Sequence, residues 1–298
     1  MPETKLVTNM TKTRFLRLIS QFVMFIIVNG AILNLSYTFL ILPINQPHTP
    51  LSVADGAIYV MQRMLTSAVF PLIPLASFAI IGAITGRFFC AWGCPFGLVQ
   101  EIISYISPSA KYRINHTTNK SLMDVAWVFL LLGLIAASAV GLSGVFDPNN
   151  YEQLRNSLDV FADEPMSVFD PAAMLFVGIP YLLWWNSWPA NIIGFDILFY
   201  LRLLVLIGAL ILPMFIPRAY CRWVCPTGIL AGKIGTYSIF GVKRSLIKCN
   251  HCGRCENACP MGVPILEHPE RVRDSLCILC LDCIEACDQD ALRIGKGD

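Results

Sequence analysis

Two runs of four cysteines near the C-terminus constrain the fold of this chain more than any other feature. The first run begins at Cys249 and the second at Cys277, and both have the spacing C-x2-C-x2-C-x3-C. Three thiolates on one tight loop can bind three irons of a [4Fe–4S] cluster, and in two-cluster ferredoxins the fourth ligand comes from the other run. The spacing therefore predicts two [4Fe–4S] clusters. Their predicted ligands are Cys249, Cys252, Cys255 and Cys287 for cluster 1, and Cys277, Cys280, Cys283 and Cys259 for cluster 2.

Zinc is the alternative metal for these cysteines, because paired C-x2-C is also a zinc spacing. Two complete four-cysteine runs fit zinc poorly, so the iron–sulfur interpretation is favoured. Asp288 stands where many two-cluster modules have a proline. Since that proline shapes a turn and binds no metal, the change affects only the local backbone. His251 lies between two predicted ligands and is interpreted as a surface residue.

Apolar stretches dominate the rest of the chain. Of the 298 residues, 55% are hydrophobic and only 14% are charged, with a mean hydropathy of +0.60, whereas a soluble domain carries about 25% charged residues. A helix needs about 20 apolar residues to cross a bilayer. The stretches that meet this requirement are 18–40, 65–86, 125–146 and 195–216. A net charge of only +2 gives no indication of a nucleic-acid partner.

The distribution of basic residues predicts how these stretches are oriented. Lysines and arginines are concentrated in the N-terminus, in the loop 87–121 and after residue 216, whereas 147–170 is acidic. With four spans, the positive-inside rule places both termini in the cytoplasm of a multi-pass inner-membrane protein. A fifth uncharged stretch, 171–194, would move the C-terminus outside if it spanned, so it is predicted to be re-entrant or interfacial. The first apolar stretch is too long for a signal peptide and is expected to be retained.

An internal repeat relates the second and fourth stretches. The pattern Arg-x-aromatic-Cys-x-Trp-x-Cys-Pro-x-Gly occurs at 87–97 and again at 218–228. Each copy follows the second helix of a pair, which predicts two tandem helix pairs that each end in a cysteine pair. Three interpretations of these pairs remain open: ligands of a third metal centre, a thiol–disulfide relay, or structural packing of the loops. The cysteines are Cys90, Cys94, Cys221 and Cys225.

Together these features predict a mostly α chain of two domains. Residues 1–240 are expected to form a polytopic membrane domain of four transmembrane helices, arranged as two tandem pairs. Residues 241–298 are expected to form a small α+β ferredoxin-like domain that binds two [4Fe–4S] clusters.

The combination of both cysteine patterns resembles a known family. The Cys-x3-Cys-Pro motifs that begin at Cys90 and Cys221, followed by the two cysteine runs, are similar to those of the NapH, NosR and MauN family of membrane ferredoxin-type proteins. The resemblance extends from the first apolar stretch to Cys287. It implies a quinol dehydrogenase component, in which quinol is the substrate. Electrons would pass through the clusters to another redox subunit or a soluble carrier.

Few residues in the sequence could bind and deprotonate a quinol. Arg202 lies inside the fourth stretch, where a charge costs about 2.5–3.5 kcal/mol on insertion scales. It is expected either to face a polar interior site or to reach the interface. Asp124, at the start of the third stretch, is the other candidate. Trp184, Trp185 and Trp188 are expected to form an aromatic belt at the membrane surface.

Three functions are consistent with the sequence. The leading one is an oxidoreductase subunit for quinol-linked electron transfer, with membrane lipid and the quinone pool as partners. The second is an assembly or maturation factor that reduces a metal or thiols for another enzyme, as the related CcoG-like proteins do. The third, a redox sensor, is least favoured because the sequence shows no DNA-binding or signalling domain.

Overall fold

The structure of the chain is a computed structural model that describes residues 12–29, 40–47, 53–107, 112, 114–147, 151–154, 162, 164–180 and 197–296. Helices dominate this part of the chain. They are α1 (Lys12–Val28), α2 (Ala57–Thr66), α3 (Leu72–Thr85), α4 (Phe88–Trp92), α5 (Pro95–Ile106), α6 (His116–Phe146), α7 (Pro171–Ala173), α8 (Ile197–Phe215), α9 (Ala219–Trp223), α10 (Pro226–Gly235), α11 (Arg254–Ala258) and α12 (Asp282–Glu285). The strands are β1 (Leu40–Leu42), β2 (Ala54–Gly56), β3 (Phe240–Arg244) and β4 (Leu292–Lys296).

Helix α6 is the one helix among the described residues that is long and apolar enough to cross a bilayer by itself. Its 31 residues extend about 46 Å at about 1.5 Å per residue, which exceeds the roughly 30 Å of a hydrocarbon core. Asn115 caps its start by accepting a hydrogen bond from the Thr117 N–H. Leu132 and Ile135 are 56% and 64% exposed on its surface. A face of this kind is typical of contact with another apolar phase.

The other apolar stretches form shorter helices than the sequence predicts. The stretch 65–86 is interrupted, because α2 ends at Thr66 and α3 begins only at Leu72, directly after Pro71. Helix α3 has 14 residues and α1 has 17. The four-helix transmembrane arrangement therefore stays a prediction. Parts of the first and fourth stretches, and the three tryptophans of the expected belt, lie outside the described residues.

The two halves of the helical part interlock. Helix α5 of the first half packs against α8 of the second, and α3 of the first half packs against α10 of the second. Helices α3 and α10 pack closely where Gly86, directly after α3, meets Gly235, since a Cβ at Gly235 would lie 2.9 Å from the Gly86 Cα. Because each half contributes to both contacts, the cysteine pairs that follow α3 and α8 are brought towards each other.

Two connecting segments fold back among the helices. In the first, β1 pairs in parallel with β2, Leu40 opposite Ala54. In the second, which includes a 3-10 turn at Pro165–Phe169 and α7, the Met166 N–H donates to the Gln62 side-chain oxygen at 2.9 Å. Asn45 of the first segment donates to Asp170 of the second, also at 2.9 Å. The stretch predicted to be re-entrant thus begins inside the fold, and its residues 181–194 lie outside the described part.

The C-terminal unit combines a two-stranded sheet with two short helices. Strands β3 and β4 are antiparallel, with Phe240 opposite Lys296, and α11 packs against α12. The start of α1 touches this unit, because the backbone N–H groups of Lys12 and Thr13 donate to the Glu285 carboxylate at 3.0 and 3.1 Å. The start of α1 and the C-terminal unit therefore meet at one side of the helical part.

Candidate metal centre

Four predicted ligands line a single cavity in the C-terminal unit. They are Cys277, Cys280 and Cys283 of the second run together with Cys259 of the first. The remaining wall is apolar and includes Val242. The same four cysteines are the predicted ligands of cluster 2. The cavity therefore contains three thiols from the second run and one from the first, as the spacing predicts.

The backbone of the two runs has the same unusual conformation at equivalent positions. His251 and Leu279, each before the second cysteine, have φ values of 57° and 52°. Gly253 and Leu281, each after the second cysteine, have φ values of 76° and 68°. Alternation of right- and left-handed residues turns successive N–H groups inward and forms a concavity for an anion, as in many iron–sulfur sites. Both loops are therefore shaped for a negatively charged, thiolate-bound cluster.

Burial disfavours the ionised form of the thiols around the cavity. Burial raises the pKa of Cys277 to about 12, and it also raises the pKa values of Cys280 and Cys283 above the ordinary range. A buried thiolate needs adjacent positive charge, and a coordinated metal supplies it. Among the described side chains, no three His, Cys, Asp or Glu residues are placed to hold one metal ion. A [4Fe–4S] cluster does not need several ligands around one ion, because each thiolate binds a different iron. The four cysteines therefore fit such a cluster.

The predicted ligands of cluster 1 lie nearer the surface. Cys255, in α11, is 8% exposed, whereas Cys252 is exposed and Cys249 and Cys287 are partly buried. The side chain of Arg254 forms an ion pair with Asp288 and so links the two runs beside these cysteines. Asp288, which replaces the usual proline, thus contributes a charge contact between the runs.

The four cysteines of the internal repeat are also buried. Cys90, Cys94, Cys221 and Cys225 are 7%, 5%, 4% and 4% exposed. The charges that raise the pKa of Cys225 beyond the effect of burial include those of the other three thiols, so all four lie within electrostatic range of one another. Cys94 and Cys225 occupy equivalent places, each directly before a helix that begins with proline, where a missing N–H costs no hydrogen bond.

Two arginines cross between the repeats at this site. Arg87 of the first copy donates to the Cys221 carbonyl at 2.6 Å, and Arg218 of the second donates to the Cys90 carbonyl at 2.8 Å. A Cβ on Gly228 would lie 2.6 Å from the Arg87 guanidinium. The terminal glycine of that copy therefore leaves room for the crossing side chain. These reciprocal contacts make the cysteine pairs one shared site.

A buried charge network joins this site to the C-terminal unit. Glu101 forms ion pairs with Arg17 and Arg218, and Arg17 also donates to Asp282 at 2.7 Å. Burial alone would raise the pKa of Glu101, but the guanidinium groups of Arg218 and Arg17 outweigh it and hold that pKa at about 2. Glu101 is therefore fully ionised at neutral pH.

Three backbone carbonyls of the loop that carries the predicted cluster 2 ligands accept hydrogen bonds from side chains of the helical part. Arg17 donates to the Cys280 carbonyl at 2.8 Å, the Trp92 indole to Leu279 at 3.0 Å, and Arg87 to Ser275 at 2.9 Å. Arg87 also holds the Cys221 carbonyl, so a single side chain touches both the buried cysteine site and the cluster 2 loop.

The sequence identified the cysteines but missed most of the residues that connect them. Arg202 donates to the Ser167 hydroxyl at 2.8 Å, away from both cysteine sites, and Asp124 is exposed on α6. Arg87 and Arg218 could have been identified from the sequence, since each is the first residue of a copy of the repeated pattern. Glu101 had only the weaker signal of a lone carboxylate within an apolar segment.

Comparison with protein families agrees with this arrangement. A family described as a 4Fe-4S binding domain matches residues 67–113 and again 198–245, so each match contains one of the buried cysteine pairs. A second family, described as a 4Fe-4S dicluster domain, matches residues 248–292 and contains both cysteine runs. No solved structure matches the chain.

Curated relatives lead to the same conclusion. The uncharacterized protein MJ0749 of Methanocaldococcus jannaschii is 26% identical over 77% of this chain and 71% of its own length. The putative electron transport protein YccM of Escherichia coli is 25% identical over 72% of this chain and 52% of its own. The ferredoxin-type protein NapH of Escherichia coli is 21% identical over 72% and 64%.

The chain is similar to the ferredoxin-type proteins NapH and MauN and to NosR. The resemblance inferred from the cysteine patterns is thereby confirmed. These matches support iron–sulfur clusters as its cofactors and a role in electron transfer. It spans about half the length of YccM and less than a quarter of NosR.

Proposed function

We propose that the chain oxidises membrane quinol and passes the electrons through its clusters to a partner redox enzyme. The main support for this proposal is a set of hydrogen bonds that holds the cluster 2 loop against the helices. They are donated by Arg17, Arg87 and Trp92. These contacts keep the cavity of cluster 2 beside helices with exposed apolar surfaces. A lipid-soluble donor reaches such a position more readily than a soluble protein does.

The eight C-terminal cysteines act as the ligands in this proposal, divided between clusters 1 and 2 as the spacing predicts. Bound [4Fe–4S] clusters supply one-electron carriers. The protein supplies burial, orientation and the inward N–H groups at the left-handed turns. Cluster 2 lies in an apolar cavity towards the helices, and Cys252 of cluster 1 is exposed. This order favours electron flow from cluster 2 to cluster 1 and on to a partner at the surface.

In the proposed topology, four helices cross the inner membrane and both termini are cytoplasmic. Three helix ends support it because they contact the C-terminal unit. Lys12 at the start of α1 touches Glu285, and His116 at the start of α6 lies 3.3 Å from Asp274. Helix α3 packs against β3, and its Ala83 carbonyl accepts from the Ile239 N–H directly before that strand. The segments rich in basic residues then share one side, as the positive-inside rule requires.

Reduction of the clusters by a quinol in membranes tests the proposed function. Anaerobic membranes that contain the cluster-loaded chain are titrated with a short-chain quinol, and cluster reduction is followed by low-temperature EPR. The expected result is an iron–sulfur signal that grows with quinol and reaches that produced by dithionite. A chain that dithionite reduces and quinol leaves oxidised at every concentration is not a quinol dehydrogenase component.

The buried cysteines of the repeat form a third metal centre in this proposal. The match of a 4Fe-4S binding family to each half supports an iron–sulfur cluster there. A thiol relay, or an assembly factor that reduces metals and thiols, needs thiols that partners can reach, and these are at most 7% exposed. Replacement of Cys225 by serine should remove about four irons per chain. The equally buried Thr227→Ser should remove none, and an unchanged iron content in Cys225→Ser would eliminate the third centre.

A further inference from the structure

A second cavity, of about 140 Å³, lies where the C-terminal unit meets the ends of the helices. Its wall is mostly apolar and contains three prolines. Cys259 lines this cavity and also the cavity of cluster 2. A molecule bound here therefore lies against a proposed cluster ligand. The other residues of the wall that matter for its chemistry are Ile114, Arg222, Glu256 and Gly262.

Two buried hydrogen-bond donors face this region without acceptors. Arg222 is 3% exposed, and although it donates to the Pro260 carbonyl, its Nε has no hydrogen-bond partner. Asn119 is fully buried, and because its oxygen accepts from the Trp223 indole at 3.0 Å, its unpartnered nitrogen faces the other way. A Cβ on Gly262 would lie 3.4 Å from that nitrogen and 3.8 Å from the Arg222 guanidinium. Both donors thus meet the same wall.

The mouth of the cavity lies at the end of an apolar helix. Tyr112, which is 63% exposed, lines the cavity, and its N–H donates to the carbonyl of Phe215, the last residue of α8, at 2.9 Å. The two aromatic rings lie 6.5 Å apart. In the proposed topology this is the membrane interface, where tyrosine is enriched and a lipid-soluble molecule would arrive.

We propose that this second cavity binds the headgroup of the quinol, a proposal that rests on the proposed function. Its volume is close to the roughly 150 Å³ of an engineered cavity that accommodates benzene, so it has room for one six-membered ring. An oxygen of the ring accepts a hydrogen bond from Arg222, which lines the cavity, whereas Asn119 lies behind Gly262. Glu256 holds its carboxylate at the same wall by accepting from the Leu266 N–H at 2.9 Å. That negative charge disfavours phosphate or another small anion.

The electrons and protons that quinol oxidation releases in this cavity can each be accounted for. Conversion of one quinol to quinone breaks two O–H bonds and releases two electrons and two protons. The two proposed C-terminal clusters, when bound, would supply two one-electron acceptors, and Cys259 at the shared wall would hold the nearer of them. Both protons pass to water at the mouth of the cavity.

Binding of a quinol-site inhibitor tests the location without depending on turnover. The fluorescence of 2-heptyl-4-hydroxyquinoline N-oxide is titrated with the purified cluster-loaded chain and with Ile114→Trp, which fills the cavity from its side wall. Affinity is expected to fall at least tenfold in Ile114→Trp. It should be unchanged in the control Ile247→Trp, because Ile247 is 99% exposed. Equal binding by the unaltered chain and Ile114→Trp, with equal iron contents, would overturn the assignment.

The rate of quinol oxidation separates the cavity from the proposed function. Limiting quinol should reduce the clusters of Ile114→Trp at least tenfold more slowly than those of the unaltered chain, with no change under dithionite or in the control Ile247→Trp. If quinol reduces the unaltered chain and Ile114→Trp at one rate, the cavity is wrong and the proposed function stands. If quinol reduces neither of them and dithionite reduces both, the proposed function fails.

Discussion

Replacement of Cys259 by serine is expected to remove about four irons, and these are the irons of cluster 2 rather than of the run that contains Cys259. The physical reason is the cavity, in which the Cys259 thiol faces Cys277, Cys280 and Cys283. A cubane that loses one of four thiolates keeps an unsatisfied iron in an apolar wall, and it is not retained. Iron per chain, measured by mass spectrometry after anaerobic purification, gives the number lost.

Double variants show which cluster is lost. Cys259→Ser combined with Cys280→Ser should lose no more iron than either single variant, because both changes affect cluster 2. Cys259→Ser combined with Cys252→Ser should lose about eight irons, because the changes affect different clusters. The reverse result, with the first pair losing twice as much as the second, would show that each run binds its own cluster and that the crossed assignment is wrong.

Replacement of Glu101 by glutamine is expected to destabilise the chain by about 3–5 kcal/mol. Arg17 and Arg218 are 1% and 3% exposed, and both depend on the Glu101 carboxylate for neutralisation. Removing one charge leaves the remaining buried charges uncompensated, which costs more than the loss of an exposed ion pair. Thermal unfolding of the cluster-loaded chain in detergent, followed by loss of the iron–sulfur absorbance, measures the effect.

The control for this change is Glu152→Gln, since Glu152 is exposed and its replacement should leave the unfolding temperature unaltered. A double variant that replaces Glu101 and Arg218 by apolar residues should be less destabilised than Glu101→Gln alone, because Arg17 keeps Asp282 as its partner and neither buried charge is left unpaired. Equal unfolding temperatures for Glu101→Gln and Glu152→Gln would contradict the network. Since the pKa of Glu101 falls from its usual 4.5 to about 2, its contribution is complete above pH 4.5 and is lost as the pH falls towards 2.

Local spacing explains why the cysteine sites could be predicted from the sequence. The eight predicted ligands lie in two short loops, and the size of a [4Fe–4S] cluster dictates separations of this kind. The repeat was equally visible, because the residues around Cys90 and Cys221 recur in the same order. In both cases the chemistry depends on neighbours along the chain.

Long-range contacts explain what the sequence could not show. Apolar composition from 65 to 86 does not distinguish one long helix from a turn before Pro71, since both keep the same residues in an apolar environment. Arg87 reaches across to Cys221, and Arg17 lies 263 positions before its partner Cys280. Arg222 and Cys259 come to line one cavity only when the C-terminal unit folds against the helices.

The most direct test of the account is the metal and sulfide content of the full-length chain purified without oxygen. The account predicts about twelve irons and about twelve acid-labile sulfides per chain, of which the C-terminal cysteines hold about eight of each. These eight are lost when Cys259 and Cys252 are both replaced by serine. A chain that contains zinc in place of iron, or that contains no acid-labile sulfide, would contradict it.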